Sequence, residues 1–144
     1  MTEKQPETML ELQQDGLSHS LEDYLEAIVD LAGPKYTPIR AVDLARKLNV
    51  SKASVSKATG ILKEKGYVEQ PYYGDITLTE AGVEYGNEVW HKHNLLFRFL
   101  SEKIGIDAET ANYEACQIEH FISSASFKKW EDFFASIGLQ KESR

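Results

Sequence analysis

The stretch Glu114-Ala115-Cys116-Gln117-Ile118-Glu119-His120 sets a thiol, a carboxylate and an imidazole at i, i+3 and i+4. On a helix turning about 100° per residue, those side chains fall within an arc of roughly 100° on one face. Such a face is a divalent-metal chelate that lacks only partners. Cys116 is the only cysteine, so no disulfide can form within the chain, and the thiol either packs as a small apolar residue or ligates.

Candidate partners lie at two distant places. In Ser20-Leu21-Glu22-Asp23-Tyr24-Leu25-Glu26-Ala27-Ile28, Asp23 and Glu26 are i, i+3 on a helix whose apolar side carries Tyr24, Leu25 and Ile28. In Trp90-His91-Lys92-His93, the two histidines are i, i+2 and point about 200° apart on a helix, so they cannot chelate one ion together. Each group also has an ordinary reading. Asp23 and Glu26 suit the first turn of a helix, and His93 suits a satisfied core position.

The elements that must position these residues follow from the patterning. Residues 1–18 are polar and read as a flexible tail. A helix runs from about Ser20 to Leu31 and stops at Gly33-Pro34. Helical spacing resumes over 39–48, breaks at Asn49-Val50, and Ser51 caps a second helix from Lys52 to about Lys65. This is a helix-turn-helix. Residues 67–70 and 76–78 are strands around the turn Pro71-Tyr72-Tyr73-Gly74-Asp75, so the hairpin is a wing. Thr79 caps a long helix to about Ile104, Gly105 ends it, and Asp107 caps the helix carrying Cys116. Ser123 to Ser126 separate that helix from a last one, Phe127 to Ile137. The expected class is mainly α: a tail over 1–18, a winged helix-turn-helix over 19–80, a helical domain over 81–138, and a short tail over 139–144.

With 144 residues there is room for one domain with a real core, or two small lobes sharing a long helix. No apolar run approaches the ~18 residues of a membrane span, and the start lacks the regions of a signal peptide, which predicts a cytoplasmic protein without a membrane partner. The net charge of −7 is uneven. Between Lys35 and Gln70 there are eight basic residues against three acidic ones. A basic segment on an acidic remainder suits a chain that meets phosphate at one end and cations at the other; a solvated helix face accounts for the charges as well.

The Ser-Leu-Glu-Asp-Tyr-Leu-Glu-Ala-Ile helix and the Ala-Cys-x-x-Glu-His helix, together with a winged helix-turn-helix, resemble the diphtheria toxin repressor family of iron- and manganese-dependent regulators. The resemblance covers about Ser20 to Phe134. It implies a homodimeric, metal-dependent repressor of metal homeostasis genes that binds double-stranded operator DNA, with the helical domain serving dimerisation and metal binding. It also implies a short form without the SH3-like domain. By the same resemblance Asp23, Glu26, His93, Cys116, Glu119 and His120 are metal ligands, with Fe(II) or Mn(II) as the cofactor. Cys116 matches iron-type members, whereas Asp23 and Glu26 match manganese-type ones. Phe97 and Asn112 stand where iron-type members place further ligands of a second, ancillary site, so the resemblance leaves the number of ions per subunit open. A thiolate favours Fe(II) and softer ions and carboxylates suit Mn(II), which tips the expectation toward Fe(II).

For DNA contact the pattern selects Ser51, Lys52, Ser54, Ser56 and Lys57 at the start of the second helix of the motif, with Arg40 and the wing residue Tyr73. Hydroxyls and Lys52 suit phosphates, while Ser54 and Lys57 could reach base edges. The rival readings are a metal-independent winged-helix regulator and a metallohydrolase. No Gly-rich phosphate loop, no His-Glu-x-x-His motif and no nucleophile and base pair supports an enzyme or a small organic substrate.

Overall fold

Local signals set the helix ends. In the computed structural model, which describes residues 16–71 and 74–142, the helices are α1 (His19–Ala32), α2 (Ala41–Leu48), α3 (Lys52–Glu64), α4 (Glu80–Arg98), α5 (Ala108–Glu119) and α6 (Ser124–Ser136). Two short strands, β1 (Val68–Glu69) and β2 (Thr77–Leu78), lie between α3 and α4. The chain divides into two compact units, with the boundary inside α4 between His91 and Lys92.

The first unit spans Ser20–His91. Helix α1 buries Tyr24, Leu25, Ala27, Ile28, Val29 and Ala32, the i, i+3, i+4 stripe of an amphipathic helix, and ends at Gly33. Helix α2 ends because Asn49 turns left-handed at φ 53°, its N–H bonding back to Ala45 and Arg46. Ser51 then caps α3 by accepting the Ser54 N–H at 3.0 Å. Val55, Ala58, Thr59 and Leu62 bury one side of α3. The wing pairs Val68 with Leu78 and Glu69 with Thr77, antiparallel. The strands are shorter than expected, but Ile39, ahead of α2, bridges Ile76 and adds a third segment to the hairpin.

Two glycines let backbones in this unit meet closely. The Thr79 hydroxyl accepts the Gly82 N–H and donates to the Gly66 carbonyl, tying the cap of α4 to the end of the helix-turn-helix. A Cβ at Gly82 would overlap the Tyr67 carbonyl oxygen, and one at Gly86 would overlap Cγ2 of Val29 on α1. Hence α4 touches the wing root and α1 at positions where only hydrogen fits.

The second unit takes Lys92–Lys141 with the described residues 16–19. Its core is Leu95, Leu96, Leu100, Ala111, Ala115, Phe127, Phe134 and Leu139. Phe134 is fully buried, with the rings of Phe99, Trp130 and Phe127 at 5.1, 6.1 and 6.3 Å. The long helix is not α-helical to Ile104: from Phe99 it widens into a π-helical turn before Gly105. Asp107 caps α5 through the Thr110 N–H at 3.0 Å. Ser123 caps α6, so Ser124 to Ser126, expected in the connection, form its first turn. Leu17 and Leu139, expected in the tails, are buried; the earlier residues of the expected N-terminal tail lie outside the described residues. No helix among the described residues is long and apolar enough to cross a membrane.

Candidate metal centre and nucleic-acid face

Helix α5 buries Ala111, Ala115 and Glu119 at i, i+4 and i+8. Two alanines pack there, and the third place on the stripe holds a carboxylate that is 1% exposed. Burying that charge costs several kcal/mol unless hydrogen bonds or cations compensate. Two imidazoles flank it. His93 Nδ1 is 2.8 Å from Oε2 and His120 Nε2 is 3.3 Å from Oε1. The sulfur of Cys116, a Glu119 oxygen and a His120 nitrogen lie within 4.8 Å of one another. Sulfur, oxygen and nitrogen donors converging at this spacing fit a divalent transition metal.

His19 and Lys92, two neighbours of this cluster, escaped the sequence reading, and Asn112 figured there only as a departure from the family's second site. Asn112 Oδ1 lies 2.9 Å from His93 Nε2. The His19 ring stacks on His120 with centroids 3.7 Å apart, and Phe121 meets His19 edge-on. The ammonium of buried Lys92 donates to the Ile122 carbonyl at 2.9 Å and sits over the Phe127 ring, clamping the turn that follows His120. Asn112 was within reach of the spacing argument, being i−4 from Cys116 and i−7 from Glu119 on the same helix face. Nothing in the sequence marks His19 or Lys92. Phe97, at a position that the resemblance associates with a second site, packs against the apolar core instead.

Asp23 and Glu26 belong to the first unit. Both are half-buried on α1, beside Glu22, which accepts the Tyr85 hydroxyl at 3.0 Å. The DNA-contact candidates Ser51, Lys52, Ser54, Ser56 and Lys57 are all exposed along α3 or at its cap. The Ser51 hydroxyl is engaged already, donating to Ser54 Oγ while it caps. Arg40 is exposed and holds Asp43 with two hydrogen bonds of 3.0 and 3.2 Å. The bonded Asp43 carboxylate raises the Arg40 pKa still further, so the guanidinium keeps its charge. Tyr73 lies outside the described residues.

A winged helix-turn-helix followed by a helical unit with this donor set defines a class: DNA-binding proteins that carry a metal-binding domain. The iron dependent repressor N-terminal DNA binding domain matches residues 16–75, and the iron dependent repressor metal binding and dimerisation domain matches 79–142. An uncharacterised HTH-type transcriptional regulator of Methanocaldococcus jannaschii is 38% identical over 118 residues, 81% of this chain and 94% of the relative. The transcriptional regulator MntR of Lysinibacillus sphaericus is 34% identical over 113 residues, 78% of this chain and 80% of its own. The crystal structure of IdeR from T. acidophilum aligns with a TM-score of 0.66 at 31% identity, covering 79% of this chain and 53% of that one. The chain thus spans about half the length of that solved relative. It belongs to the iron-dependent repressor family of metal-dependent transcriptional regulators, which are not enzymes.

Proposed function

We propose that this protein is a cytoplasmic homodimeric repressor that senses Fe(II) or Mn(II) and, when loaded, binds operator DNA of metal homeostasis genes. The observation that carries the reading is the buried Glu119 carboxylate between two imidazoles with a thiol alongside. Asp23, Glu26, His93, Cys116, Glu119 and His120 would hold the ion, which supplies positive charge to a donor set rich in carboxylates. Cys116 favours Fe(II) over Mn(II), and cellular availability keeps out zinc and copper, which would win on affinity.

The mechanism rests on the ligands being divided between the two units. Asp23 and Glu26 on α1 belong with the helix-turn-helix, and the other four belong with the helical unit. Shared coordination would select one orientation of the DNA-binding unit from a mobile ensemble. In a dimer this sets the separation of two α3 helices to successive major grooves. Lys52 and the hydroxyls of Ser51 and Ser56 would then meet phosphates, Ser54 and Lys57 base edges, and Arg40 and Tyr73 the flanking backbone.

The test is a gel-shift series on the protein's own upstream DNA with Fe(II), Mn(II), Zn(II) and chelator. Fe(II) or Mn(II) is expected to tighten operator binding at least tenfold, about 1.4 kcal/mol of coupling, and operator DNA to tighten metal binding by the same factor. Equal DNA affinity in metal and in chelator would leave a metal-independent winged-helix regulator.

A further inference from the structure

His93 is held at both ring nitrogens, Nδ1 by Glu119 Oε2 at 2.8 Å and Nε2 by Asn112 Oδ1 at 2.9 Å. A neutral imidazole has one N–H and one lone pair, and the partner of one nitrogen decides the state of the other. An amide oxygen accepts and cannot donate, so in this orientation Asn112 takes the proton of Nε2. In a neutral ring the lone pair is then left on Nδ1, facing a Glu119 oxygen at 2.8 Å, a contact that attracts only when a cation is shared by the two atoms or a second proton sits on the ring. Histidines that bind metals are oriented in this way, by giving the far N–H to an oxygen.

We propose that Asn112 is a positioning residue that selects the Nδ1-ligating tautomer of His93, so that the imidazole and the Glu119 carboxylate present lone pairs to one cation. This rests on the metal-sensing reading above. The helix supplies the alignment: Asn112, Cys116, Glu119 and His120 at i, i+4, i+7 and i+8 put the orienting group on the ligand face of α5. Asn112 itself is exposed, at the rim of the cluster, and replacing it leaves the core intact. An amide can also be turned over to donate through its nitrogen, which would favour the opposite tautomer with Nδ1–H bonded to Glu119. A carboxylate at 112 could only accept and would hold the ligating tautomer, whereas an apolar side chain of the same size would hold neither.

The experiment compares wild type, Asn112→Leu, Asn112→Asp and His93→Ala, loaded with Zn(II) as a diamagnetic probe. Zn(II) affinity is measured by chelator competition, and the His93 ring nitrogens are assigned by long-range 1H–15N correlation. The expected result is a protonated Nε2 and a metal-shifted Nδ1 in wild type and Asn112→Asp. Asn112→Leu should weaken Zn(II) about tenfold, and Asn112→Asp should stay close to wild type. A metal-shifted Nε2 in loaded wild type, or an Asn112→Leu affinity equal to wild type, would overturn the role of Asn112 while leaving the metal site standing. Zn(II) affinity unchanged in His93→Ala would instead remove His93 from the ligand set, and the inference with it.

Discussion

Helices α3 and α5, proposed to read DNA and to hold the metal, both carry polar residues at helical spacing, yet they hold them differently. On α3 every proposed DNA contact is exposed. On α5 the central carboxylate is fully buried and flanked by two imidazoles, and one of those is held in turn by an amide. An exposed polar group has water for a partner, so its geometry before binding says little about its target. A buried one must be matched within the protein, so its surroundings report its chemistry. The α5 cluster can therefore be read from its contacts, whereas α3 must be read from charge and position.

The largest expected effect strikes the buried side alone. Phe134→Ala, at the centre of the second unit's aromatic cluster, should cost about 3–5 kcal/mol of stability by denaturant melts. A loss within 1 kcal/mol would show that core to be loosely packed. On the exposed side, Lys57→Ala is expected to cost about 1–3 kcal/mol of discrimination among operator variants. Lys52→Ala should weaken all sequences alike and reduce the salt slope by about one unit. Wild-type behaviour of both would mean that α3 is not the recognition helix.

The proposed metal preference sharpens the comparison further, since that proposal turns on the half-buried sulfur of Cys116. Cys116→Glu should shift the ratio of Fe(II) to Mn(II) dissociation constants toward Mn(II) by roughly tenfold, about 1.4 kcal/mol. Cys116→Ser should weaken Fe(II) more than Mn(II). Identical ratios in all three proteins, measured anaerobically at one pH, would make Cys116 a packing residue.

The smallest effect concerns Asp107. Its carboxylate accepts the Thr110 backbone N–H, which lowers its pKa below the ordinary carboxylate value. A depressed folded pKa means that the stabilisation is complete above the unfolded pKa, near ~3.9, and is lost as pH falls through the folded value. Asp107→Asn keeps a capping oxygen without the charge, so unfolding midpoints of wild type should fall more steeply than those of the variant below about pH 4. Parallel pH profiles would remove the cap from the acid stability of α5.

What the sequence revealed divides along the same line. Caps at Ser51, Thr79 and Asp107 were legible because an N-cap depends on residues two or three apart. The Cys116, Glu119 and His120 face was legible for the same reason. The contact of His93 with Glu119 joins residues of two helices, and no periodicity encodes it. The bridge from Ile39 to Ile76 and the Lys92 clamp are invisible on the same ground. Leu17 and Leu139 were missed because a single apolar residue beside polar chain carries no period. The π-helical turn was missed because its residues keep the apolar character of an α-helix.

Gly86 gives the two faces different futures under mutation. A side chain there would overlap Val29 on α1, and any single-base change of a glycine codon that alters the residue adds at least a methyl group. The seam between α1 and α4 therefore has no neighbouring allele to drift into, while the exposed serines and lysines of α3 have many. With α3 as the proposed reading helix, a lineage could retarget its operator one codon at a time, while the helix that carries Asp23 and Glu26 keeps its footing against Gly86.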